Sequence, residues 1–115
     1  MKKIVYSPDY KEKLIDLRRN LDFQFGEDVR KRVMKALDAR IKMLRTYENM
    51  GISIRTNYGV DCDYLCIYVE KNYIFYTVDE DCICIVNMYN EKEDFMQKMF
   101  GIRTTSQETE DYWGE

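Results

Sequence analysis

The chain opens on a short apolar segment, Lys2 to Tyr6, that stops at Ser7-Pro8. Serine is a good N-cap and proline a good first helical residue, so a helix starts there. Tyr10, Leu14, Leu17 and Leu21 then recur at i, i+4, i+7 and i+11. That is one face of an amphipathic helix, with Lys11, Lys13, Arg18 and Arg19 elsewhere on its surface, and it predicts a helix over Pro8 to Asp22. The pattern breaks around Phe23 to Gly26, and Val29, Val33, Ala36, Leu37, Ile41 and Leu44 mark a second, longer helix ending near Tyr47. A short joint between consecutive helices makes an antiparallel hairpin.

Beyond Gly51 the period changes. Ile52 to Tyr58, Tyr64 to Glu70, Tyr73 to Val78 and Cys82 to Tyr89 are rich in Ile, Val, Tyr and Phe, and turn residues separate them. They predict four strands of an antiparallel meander. The last two carry apolar residues at both parities, as strands covered on both faces do. Asn90 offers an N-cap with Glu93 three residues on, and Phe95, Met96, Met99 and Phe100 form the apolar face of a third helix that Gly101 stops. The order strand, helix, helix, four strands, helix predicts an α+β domain over residues 1–102, with the hairpin on one face of the sheet. Residues 103–115 form an acidic tail whose Tyr112-Trp113 either folds back on the protein's own body or serves as a docking element.

Composition narrows the function classes. At 115 residues the chain suits one domain, and no apolar run approaches the roughly 18 residues that span a bilayer. The expectation is a soluble, unsecreted, cytoplasmic protein with no membrane partner. The sequence contains no histidine, which removes Ser-His and Cys-His nucleophiles and His-ligated zinc. Cys62, Cys66, Cys82 and Cys84 lack the paired C-x2-C spacing of a structural zinc site, so they read as small apolar strand residues. Neither a metal nor a cofactor is expected.

The net charge of −3 hides an asymmetry, because residues 1–55 hold 14 Lys/Arg against 8 Asp/Glu and residues 56–115 hold 4 against 13. A basic helical side therefore faces an acidic remainder, a distribution suited to polar partners.

The stretch Asn72-Tyr73-Ile74-Phe75-Tyr76-Thr77-Val78, followed by Cys82 to Met96 and Met99-Phe100-Gly101, resembles the C-terminal half of RelE/ParE-superfamily toxins. Val5-Tyr6-Ser7-Pro8-Asp9-Tyr10 and the hairpin fit as well, so the resemblance covers about residues 2–102. It implies a RelE/ParE-like fold and a bacterial toxin neutralised by a cognate antitoxin. It also implies a target that is either messenger RNA on the ribosome or DNA gyrase, with operator DNA reached only through the antitoxin. Carried over by position, the family's motif departs here. Tyr73 stands where Arg is frequent, Asn87 at another often basic position, Asn90 replaces a His, and Lys92 replaces an Arg.

Cleavage through a 2′-hydroxyl needs a base, an acid and cations around the phosphate. A reduced nuclease site here consists of Tyr73, Tyr89, Lys92 and Arg55, with Tyr73, Tyr76 and Tyr89 serving either as base-stacking platforms or as strand packing. A sequence pI near 5.1 runs against a ribosome-bound nuclease, which sits in ribosomal RNA. Protein contact with gyrase, through the helical hairpin, is the leading expectation. Ribosome-dependent mRNA cleavage and a degenerate, purely binding member are the alternatives.

Overall fold

A computed structural model describes residues 2–102. The predicted tail, with Arg103, Tyr112 and Trp113, lies outside the described residues. Strand β1 (Lys3–Tyr6) leads into helix α1 (Pro8–Phe25) and helix α2 (Glu27–Met43). There follow β2 (Ile52–Ser53), helix α3 (Ile54–Tyr58), β3 (Leu65–Val69), β4 (Asn72–Val78), β5 (Cys82–Asn90) and helix α4 (Phe95–Phe100). The strands form one sheet in the order β1-β5-β4-β3-β2, antiparallel throughout except for the parallel β1–β5 pair.

Ser7 ties the first strand to the first helix. Its hydroxyl accepts from the Tyr10 amide at 3.0 Å and donates to the Val86 carbonyl of β5. The hairpin joint is tighter than the periodicity suggests, with α1 running to Phe25 and α2 starting at Glu27. Gly26 between them has φ 89°, a left-handed value that glycine adopts without Cβ strain. Ion pairs from Arg30 to Asp22 at 3.1 Å and from Lys31 to Glu27 at 2.7 Å decorate the joint.

The core lies on both faces of the sheet. Tyr10, Val33, Leu37, Ile41 and Leu44 of the hairpin pack against Ile67, Ile74, Tyr76, Ile83 and Ile85. On the opposite face Ile54, Cys66, Phe75, Tyr89, Phe95 and Met96 form a second cluster. Strand β5 serves both clusters through a bulge. Phe75 pairs with Asn87 and Tyr76 with Ile85, so Val86 has no partner on β4. This extra residue reverses the parity of the positions C-terminal to it. Ile83 and Ile85 therefore share the hairpin face with Met88, and Tyr89 turns to the other side.

Two expectations are corrected. Ile52 to Tyr58 is not one strand, because only Ile52–Ser53 pairs with β3 and the rest coils into α3. Ser53 caps that helix by accepting from the Thr56 amide at 3.2 Å, Ile54 is fully buried beneath it, and left-handed Gly59 closes it. The last helix is capped by Asp94, which accepts from the Gln97 amide at 3.2 Å, and not by Asn90. Asn90 is still the last residue of β5, paired with Asn72, so its backbone is committed to the sheet.

Candidate functional site

Tyr73 and Tyr89 are direct partners across β4 and β5. The Tyr73 ring lies 5.1 Å from Tyr68 and 5.2 Å from Phe95, and Phe75 lies 5.1 Å from Phe95 and 5.9 Å from Tyr89. These are packing distances for offset and edge-on aromatic pairs, so the rings spend their faces on one another. Tyr76 points into the opposite, hairpin-side cluster and is fully buried.

Tyr89 has a further partner that residue spacing did not single out. Strand β1 pairs with β5 only as far as Ile85, and beyond that point α1 sends Lys13 over the Tyr89 ring, its Nζ 3.4 Å from the centroid. This is a cation–π contact. The Tyr89 hydroxyl accepts from Asn87 Nδ2 at 3.2 Å. Burial pushes the Tyr89 hydroxyl up, and the Glu93 carboxylate adds to it. Burial holds the Lys13 ammonium below its ordinary value, with Glu93 opposing. Lys13 is three residues after Tyr10 and four before Leu17, which places it on the buried stripe of α1. A lone cation on an apolar stripe was the signal available.

Asn90 and Lys92 sit in the turn between β5 and α4, where Asn90 Oδ1 accepts from the Lys92 amide at 3.0 Å. The Lys92 side chain is exposed on the rim of a groove. Arg55 is elsewhere. It lies on α3, donates to the Cys62 carbonyl at 3.1 Å, and holds Asp61 and Asp63 at 3.2 Å each. Arg55 lines a hollow of about 510 Å³ with Thr77, Val78 and Asp79 at the far end of β4. From Tyr73 to that end is about 17 Å along the strand. Tyr73, Tyr89 and Lys92 thus share one end of the sheet, and Arg55 belongs to the other.

The groove beside Lys92 has a volume of about 800 Å³. It runs between the joined ends of the hairpin and the turns at Glu70-Lys71 and Asn90–Glu93, with Leu17, Leu21, Val29 and Met88 among its lining. Past it the hairpin presents large apolar side chains to solvent: Phe23 is 91% exposed, Phe25 61% and Ile15 56%. All four cysteines are free thiols, and burial pushes the Cys66 thiol up to about 12. Among the described residues no group of three His, Cys, Asp or Glu side chains is placed to hold a metal ion, and no helix is long and apolar enough to cross a membrane.

Residues 4–95 match the family described as ParE toxin of type II toxin-antitoxin system, parDE. Among solved structures, the fold is similar to a chain of the chromosomal ParDE TA system from P. aeruginosa, with a TM-score of 0.65 at 13% identity. That alignment covers 78% of this chain and 96% of the other. No curated protein sequence matches.

Proposed function

The chain belongs to the ParE toxin family of type II toxin–antitoxin systems, and from that membership we propose that it inhibits DNA gyrase by protein contact and is silenced by a cognate antitoxin. The observation that carries this reading is the dispersal of the groups a nuclease needs. Base, acid and phosphate-binding cations must converge within hydrogen-bond reach of one phosphate. Here the Tyr73 and Tyr89 rings are packed in the aromatic cluster, Arg55 is held by two carboxylates at the opposite end of β4, and Lys92 stands on a groove rim. The hairpin, by contrast, leaves Ile15 and Phe23 of α1 exposed among exposed Lys11, Arg18 and Arg19, with Phe25 exposed at its joint. Aromatic anchors within a charged surround suit a protein interface. The site of action is the cytoplasm, and operator DNA is reached only through the antitoxin.

Purified protein added to gyrase and relaxed plasmid should block supercoiling, and Phe23→Ala should relieve the block without unfolding the chain. Translating ribosomes given the same protein should leave their messenger RNA intact. The opposite pattern, codon-dependent cleavage that Lys92→Ala weakens while supercoiling continues, would replace this reading with a ribosome-dependent endoribonuclease using Tyr73, Tyr89, Lys92 and Arg55. One observation favours that second reading: the Tyr89 hydroxyl accepts from Asn87, its ring carries the Lys13 ammonium, and the Glu93 carboxylate acts on both, so titratable groups gather around one residue of that site. Unchanged growth on overexpression would leave a member that only binds its antitoxin.

A further inference from the structure

The groove beside Lys92 is apolar on its floor and carries charges of both signs on its rim. Leu17, Leu21 and Val29 are only partly buried there. Two of the rim's acids are ion-paired, Glu70 by Arg32 at 2.9 Å and Glu93 by Lys98 at 3.1 Å, while Asp16 and Glu91, the latter accepting from the neutral Tyr68 hydroxyl, keep their charge. Lys71 and Lys92 are exposed, and among the described residues neither joins an ion pair. Lys71 and Lys92 therefore offer two local positions for acidic groups, and the apolar floor suits an occupant that also carries large apolar side chains.

Residues 103–115 have that composition. Glu108, Glu110 and Asp111 directly precede Tyr112-Trp113, and the segment's net charge is negative. They are also tethered close by, because the chain passes the groove rim at Glu93 and then makes only the six-residue helix α4 before residue 102. That helix advances about 9 Å. Ten further residues to Tyr112 span up to about 33 Å when extended, enough to return to the groove and lie along it. We infer that residues 103–115 dock in this groove, seating Tyr112 and Trp113 on its apolar floor and setting Glu108, Glu110 and Asp111 against Lys71 and Lys92. The tether raises the local concentration of the segment to the millimolar range, so modest contacts suffice. A partner that needs the groove must first displace the tail. The inference concerns this chain's own segment and stands whichever target the toxin has.

Trp113 is the only tryptophan, so its fluorescence reports the segment alone. In the full chain its emission should be blue-shifted from that of the denatured protein. Acrylamide quenching should be about tenfold weaker than for a peptide of residues 103–115, the ratio set by ~1.4 kcal/mol of net docking. Lys71→Glu with Lys92→Glu, both at exposed positions, should bring quenching back toward the peptide value with the circular dichroism unchanged. Adding Glu108→Lys and Glu110→Lys to that pair should restore protection. Solvent-like Trp113 in the full chain overturns the inference, and so does protection indifferent to the lysine reversals, which puts the tail elsewhere. Protection that fades on dilution overturns it too, because the segment then occupies another copy.

Discussion

Replacing Tyr76 by Phe removes a single oxygen from the centre of the fold, and the cost depends on what that oxygen does. The Tyr76 ring is fully buried on β4, its hydroxyl accepting from the Gly51 amide at 3.0 Å and donating to the Glu48 carbonyl at 2.9 Å. These two bonds pin the segment between α2 and β2 onto the sheet. A net hydrogen bond contributes about 1 kcal/mol, and a buried group left unpaired costs about 1–3 kcal/mol. Because Glu48 and Gly51 are half-buried and water reaches them in part, Tyr76→Phe should destabilise by about 2 kcal/mol. With a urea slope of about 1–3 kcal/mol/M, the midpoint should fall by roughly 1 M at unchanged slope. Gly51→Ala tests the same joint from the other side, since a Cβ there would sit 2.7 Å from the Tyr76 hydroxyl and 2.9 Å from the Cys66 carbonyl oxygen. Overpacking of this kind costs about 1–3 kcal/mol. The double variant should lose less than the two single losses together, because one clashing atom is gone. Tyr68→Phe, on an exposed ring, is the control and should leave the urea midpoint close to that of the wild type. A Tyr76→Phe protein as stable as that control would refute the reasoning.

The same contacts predict three other outcomes. With its thiol pushed up to about 12, Cys66 should carry a thiolate fraction of about 10⁻⁴ at pH 8, so iodoacetamide should modify it roughly a thousandfold more slowly than an ordinary thiol. Mass spectrometry showing Cys66 alkylated as fast as Cys62 would contradict its burial. Burial lowers the Lys13 ammonium from 10.5, so between the lowered value and 10.5 this side chain is more protonated in the unfolded chain than in the folded one. The Lys13 contribution should therefore grow with pH through that window, against the opposing fall from the raised Cys66, Tyr10 and Tyr89 groups, and Lys13→Met, followed by urea melts at several pH values, should steepen that fall. Asp94→Ala should cost about 1 kcal/mol through loss of the α4 cap, and Asn90→Ala less, with thermal melts separating the two.

The order of elements was legible in the sequence, because helices and strands are written in contacts between near neighbours. Tyr10-Leu14-Leu17-Leu21 repeats every turn of α1, Ser7-Pro8 marks its start, and the runs from Leu65 to Tyr89, rich in Ile, Val, Tyr and Phe and separated by turn residues, read as strands. The resemblance to the toxin superfamily rests on that order and on the motif near Tyr73, both of which are local in the chain. Short elements were less legible. Ile52 to Tyr58 fits either period over so few residues, and what decides is the Ser53 cap and the pocket that buries Ile54 between Cys66 and Phe95. Asn90 and Asp94 are both good caps in isolation, and pairing of Asn90 with Asn72, eighteen residues earlier, leaves the role to Asp94.

What only the tertiary structure decided is which distant side chains meet. The unpaired Val86 sets the parity of β5, and with it whether Tyr89 faces the hairpin or the second cluster. The early end of β1 lets Lys13 reach across 76 positions to the Tyr89 ring, and the acidic loop beside α3 takes Arg55 away from Lys92. Local sequence determines the conformation of each segment because a helix turn or a strand pair is stabilised by residues a few positions apart. A site is set by register, bulges and loop closure, and these depend on the whole chain packing at once.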